Sequence, residues 1–189
     1  MPVRPRATEF LVGHHSHMTA QVILPAAYAA ERWTEFGVGV AGASAALAGL
    51  VFVAVSINLS EILKYRNLPG RAGLTLMLFV TPLIVGILLL VPGQSGAALG
   101  WELLAAGVVI GGSELVINQR SGRSDKETRL TWVLARLSPP IVSCGCLVLA
   151  GVTLLAQAGG GLYWLVPSVL AAIIFGLINA WVLLVEILR

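Results

Sequence analysis

The chain has 189 residues, 57% of them hydrophobic and only 11% charged, with a formal net charge of +3. Soluble domains carry about 25% charged residues, so this composition and a mean hydropathy of +0.89 exclude an ordinary soluble fold. The excess of cations does not point to nucleic acid, because Lys and Arg cluster in short segments between apolar runs, the pattern that orients membrane proteins.

Residues 1–35 are mixed. Arg4, Arg6 and Arg32 are balanced by Glu9, Glu31 and Glu35, and His14, His15 and His17 form a short tract. A bare His tract in a loose tail is not a metal-ligand spacing, and no metal is expected. No cleavable signal peptide is expected either, since the first apolar run starts late and is too long for an h-region. The reading is an extracytoplasmic tail with an interfacial segment, closing on Trp33 and Phe36 as anchors at the mouth of the first span.

Five apolar runs follow, each near the ~20 helical residues that a bilayer core requires. The first span is predicted over 36–63, where no charge falls between Glu35 and Glu61 and Gly, Ala and Ser are abundant. Gly37, Ala41, Ala45 and Gly49 recur at every fourth position, a smooth stripe for close helix approach. This helix is expected to be the one the others pack against. The second span is 72–91, with Pro82 predicting a kink. The third is 99–118. The fourth is 139–158, with Pro139 and Pro140 in its first turn, where a missing N–H costs little. Gly159-Gly160-Gly161 reads as a flexible turn before the fifth span, 162–188, and Tyr163 and Trp164 mark an interface. A four-span reading would need one run to be re-entrant, and none is short enough to favour that. The fold class is all-α, a polytopic transmembrane helical bundle.

Lys64, Arg66 and Arg71 lie in the first loop, and Arg120, Arg123, Lys126, Arg129 and Arg136 in the third; loops 93–100 and 158–162 carry no Lys or Arg. The positive-inside rule then puts the N-terminus outside and the C-terminus inside. Within the cytoplasmic loop 119–138, Ser124 and Glu127 fit a capping box, and Leu130, Val133, Leu134 and Leu137 share a helical face. An amphipathic segment is expected there, with Lys126, Arg129 and Arg136 on anionic phospholipid headgroups, or else docked on a partner protein.

Polar side chains inside spans are costly and call for an explanation. Asn58 and Glu61 end the first span, Glu114 and Asn118 the third, and Asn179 and Glu186 the fifth. These spans run in the same direction, so the six residues are expected to converge in the cytoplasmic half, as an ion, proton or ligand site. The competing reading is packing and anchoring, with Glu61 and Glu186 meeting nearby cations and Asn hydrogen bonds contributing about 0.6–2 kcal/mol. Glu114 lies deepest, whereas Glu102, beside Trp101, belongs to the outer interface. Cys144 and Cys146 point to nearly opposite helix faces and read as packing residues, with neither a disulfide framework nor zinc spacing. There is no GxSxG, HExxH or P-loop signature and no His in any span, so no catalytic residue, no cofactor and no enzyme are expected.

The segments GASAALAGLVFVAVSINLSEIL (42–63), LLLVPGQ (88–94), GLYWLVPSVL (161–170) and GLINAWVLLVEILR (176–189) resemble a family of small integral membrane proteins common in actinobacteria. Some of its members carry the label "modulator of FtsH protease". The resemblance implies a multi-pass helical bundle of the bacterial cytoplasmic (inner) membrane, without established catalytic residues. The expected function is that of a non-enzymatic structural or regulatory subunit, associating with other membrane proteins or with itself as a homo-oligomer. The alternative is an oligomeric ion channel or proton conduit built on the Asn/Glu cluster. Expected partners are the lipid bilayer, anionic phospholipids and membrane-protein subunits, and no nucleic acid.

Overall fold

A computed structural model describes residues 26–65, 68–120 and 129–187, apart from the side chains of 118–120, 129–137, 139, 140, 186 and 187. Every regular element among them is helical. Two 3₁₀ turns, Ala26–Tyr28 and Ala30–Trp33, lead into α1 (Thr34–Ile57), followed by α2 (Leu59–Lys64), α3 (Leu68–Leu89), α4 (Gly96–Arg120) and α5 (Arg129–Ala156). A further 3₁₀ turn, Gly161–Trp164, opens α6 (Leu165–Ile187). Four stretches are long and apolar enough to cross a membrane: Ala30–Ile57, Leu68–Leu89, Gly96–Ile117 and Gly161–Val185.

The expected fourth span is also helical, but its described apolar part, Ile141–Ala156, is shorter than the others. Its helix begins at Arg129, so Pro139 and Pro140 lie in the interior of α5 and not in a first turn. The apolar face of 130–137 already has helical phase and runs straight into the apolar run. The proline pair removes two N–H donors without ending the helix. Lys126 lies outside the described residues, and Arg129 and Arg136 are placed by backbone only.

Large apolar side chains cover the outside of the bundle, Leu50, Ile57, Val109 and Trp181 among them, each about two-thirds exposed or more. In water such a surface would drive aggregation; against lipid tails it is solvated. Exposed Trp101 and Tyr163 mark one end, and exposed Tyr65 and Trp181 the other, as expected of aromatic belts at two interfaces.

Helices α3, α4, α5 and α6 close a ring in which each packs on the next, and α1 lies outside it against α3. The hub is therefore α3 and not α1: half of the apolar stretch of α3 is buried, against 11% of that of α1. The reason lies in the period of the small-residue stripe. Steps of four residues drift around a helix by about 40° each, so Gly37 is buried and Ala41 half-buried, while Ala45 and Gly49 are exposed. The inward face runs instead through Gly37, Ser44, Ala48, Val51 and Val55. Here α3 contributes Gly86, where a Cβ would lie 2.8 Å from both Ala41 N and Gly37 O. Buried Ser44 sits on the same face, and its hydroxyl has no partner among the described residues. Two turns earlier on α3, the fully buried Phe79 ring fills the space left by Gly176 of α6.

Asn58 interrupts what the sequence presents as one helix. Its side-chain amide donates to Ala54 O at 2.9 Å, next to its own backbone N–H on the same carbonyl, which separates α1 from α2. At the opposite end, Trp33 is buried and is no lipid-facing anchor. Its indole N–H donates to Ala26 O at 2.8 Å, and its ring meets Phe36 and Tyr163 edge-on at 5.4 and 5.2 Å. The glycine triplet is a specified turn and not a flexible one, with φ of +85°, +108° and +52° at Gly159, Gly160 and Gly161. Any Cβ on Gly161 would run into Ala27 O, and Trp164 Nε1 fastens the turn by donating to Gly159 O at 2.8 Å.

Candidate functional site

The contact between α4 and α5 is built on a glycine stripe with a true helical period. Gly100, Gly107 and Gly111 are spaced seven and four apart, so they stay on one face. A Cβ on Gly107 would lie 2.8 Å from Val148 Cγ2, and one on Gly111 3.0 Å from Cys144 Cβ. Facing them, Gly151 brings its own backbone against Gly100 O and Leu104 N.

Glu114 follows Gly111 by three residues and continues the same stripe into the interface. Its side chain is 1% exposed. The Cys144 thiol donates to Oε2 at 3.7 Å, a weak interaction, and Oε1 has no hydrogen-bond partner among the described residues. On the outer side of this contact runs an apolar groove of about 660 Å³, lined by Gly107, Gly111, Gly112, Cys144, Gly145 and Val148 among others.

Next to Cys144, Ser143 turns to the following helix. Ser168 Oγ donates to Ser143 O at 2.7 Å and Ser143 Oγ to Ser168 O at 3.2 Å, a reciprocal pair in which both side chains are buried. These two bonds tie α5 to α6. Ser168→Ala is expected to lower stability by about 1 kcal/mol, read as the midpoint of an SDS titration. An unchanged midpoint would mean that the pair contributes nothing to the α5–α6 contact.

Of the six polar residues expected to converge, Asn58, Glu61 and Glu114 lie in different surroundings. Asn58 lines a small cavity of about 40 Å³ with Val51, Ala54, Val55, Ala180, Leu183 and Leu184, between the ends of α1 and α6. Glu61 is exposed and pairs with Lys64 at 2.6 Å, an arrangement that contributes little in solvent. Glu114 faces α5. Asn179 is half-buried on the inner face of α6, between Gly176 and Leu183. The side chains of Asn118 and Glu186 lie outside the described ones. Helix α1 packs on α3 and only marginally on α6, whereas α4 packs on α3 and α5, so Asn58 and Glu114 share no helix contact. Glu102, read as an outer-interface residue, is exposed and hydrogen-bonded to Gln94.

Sequence reasoning gave Cys144 and Ser143 no site role, and Ser168 none at all. The spacing Gly100-Gly107-Gly111-Glu114 is the signal that finds the first of these, because it marks Glu114 as facing whatever the glycines face. Cys144 and Cys146 are free thiols, and no group of three His, Cys, Asp or Glu side chains suited to a metal occurs among the described residues. Comparison with protein-family models, curated proteins and solved structures finds no match to this chain.

Proposed function

We propose that this is a five-span, non-enzymatic protein of the bacterial inner membrane, with its N-terminus outside, acting as a structural or regulatory subunit that joins other helices through α1. One observation carries the reading. Gly39, Gly42, Ala46 and Gly49 lie at spacings of three, four and three on the side of α1 opposite its contact with α3, and all four are exposed. A Cβ on Gly39, Gly42 or Gly49 would meet nothing within 4 Å. Helices in lipid associate by close backbone approach at such residues, since lipid tails provide no hydrophobic drive between them. Among the described residues, nothing packs on this side of α1 at Gly39, Gly42 and Gly49.

The distribution of Lys and Arg over the loops supports the orientation. The bacterial inner membrane is the compartment implied by the resemblance of segments 42–63 and 161–170 to the actinobacterial family. An ion conduit lined by all six Asn and Glu residues has less in its favour, because Asn58 and Glu114 belong to different helix contacts.

Gly42→Leu with Gly49→Leu tests the proposal. The double variant is expected to keep the wild-type SDS midpoint, because both side chains enter open space, and to lose association in a native-membrane pull-down or energy-transfer assay. Undiminished association would remove α1 as the docking helix.

A further inference from the structure

We infer that Glu114 is a proton-binding site inside the bilayer, an un-ionised acid with Cys144 as its hydrogen-bond donor, reached through the groove between α4 and α5. The inference does not depend on what α1 meets. It starts from a buried carboxyl whose bonding is incomplete: one oxygen accepts only from a thiol, and the other has no hydrogen-bond partner among the described residues. Taking an ionised carboxylate out of water without a counter-charge is prohibitive. No described side chain forms an ion pair with Glu114, and the side chains of Arg120, Arg129 and Arg136 on α4 and α5 lie outside the described ones.

The choice of ligand follows from the donor set. A calcium or magnesium ion needs six or so oxygen ligands, and a transition metal needs several His, Cys or carboxylate groups. Around Glu114 the described side chains offer one thiol as a bonding partner, and the neighbouring backbone is helical. A proton needs only the carboxylate oxygen itself. The groove reaches the thiol that bonds Glu114: Cys144 is part of its wall, with Gly111 and Gly112 of α4 between Val108 and Leu115 on the facing side.

The test is labelling by dicyclohexylcarbodiimide, which partitions into lipid. The acid O–H adds across one C=N bond: the carboxyl oxygen bonds the central carbon and its proton goes to nitrogen. The O-acylisourea then rearranges to a stable N-acylurea with nothing leaving. The full chain, reconstituted in liposomes, is expected to carry the adduct on Glu114 by peptide mass mapping, with no adduct there from a charged, water-soluble carbodiimide. Glu114→Gln is expected to lose it. Gly112→Leu, which enters open space on the groove side, is expected to slow labelling while the wild-type SDS midpoint is kept. Absence of the adduct in folded wild-type protein, or equal labelling of Glu114 by the water-soluble reagent, would overturn the site. An unchanged rate in Gly112→Leu would overturn the route.

Discussion

Gly86→Leu is expected to detach α1 from the bundle. The first added atom would lie 2.8 Å from Ala41 N and Gly37 O and 2.9 Å from Ala41 Cβ. Two of these belong to the backbone of α1, so no rotamer change relieves the clash, and the helices must separate. Overpacking of this kind costs about 3 kcal/mol. The loss should appear as a lower midpoint when helicity is followed through an SDS titration. Gly49→Leu is the matched control: it adds the same side chain to the same helix pair, but into open space, and should leave the midpoint in place. Equal behaviour of the two variants would contradict the assignment of the inward face of α1.

Gly151→Leu should be comparably severe at the other tight contact. A Cβ there would lie 2.7 Å from Gly100 O and 2.8 Å from Leu104 N, again backbone atoms of the facing helix. The expected cost is about 3 kcal/mol, but the consequence differs, because α4 and α5 are ring members and α1 is not. Forcing them apart opens the ring beside Leu99, Leu103, Leu147 and Leu154, all of them fully buried. Gly145→Leu, on the same helix with nothing near its Cβ, is the control expected to keep the wild-type SDS midpoint. A wild-type midpoint in Gly151→Leu would contradict the α4–α5 packing.

The helices were legible because a bilayer-length apolar run has few other conformations open to it. Their ends and neighbours were harder to read. Asn58 falls inside an uninterrupted apolar pattern, and its amide competes locally with the helix, which hydropathy does not register. Pro139 and Pro140 look like a helix start only if the amphipathic 130–137 segment is taken as separate from the apolar run. The order of packing was misread because glycine content was weighed above glycine phase. Steps of four around α1 drift through about 120° from Gly37 to Gly49, whereas the seven-and-four steps of α4 hold a single face and lead to Glu114. Convergence of Asn58 with Glu114 was inferred from helix direction and depth, yet which helices touch depends on the packing of α3, which neither reveals. The Ser143–Ser168 pair joins residues 25 apart and has no local signature.

The account rests most heavily on the outward face of α1 being an association surface, and site-directed photo-crosslinking in native membranes tests that directly. A benzophenone side chain replaces Gly42 or Gly49, with Trp181 of α6 as the lipid-facing reference position. The account predicts protein adducts from positions 42 and 49, either a dimer of this chain or a defined heteromer, and lipid adducts alone from 181. Lipid adducts alone from all three positions would contradict it.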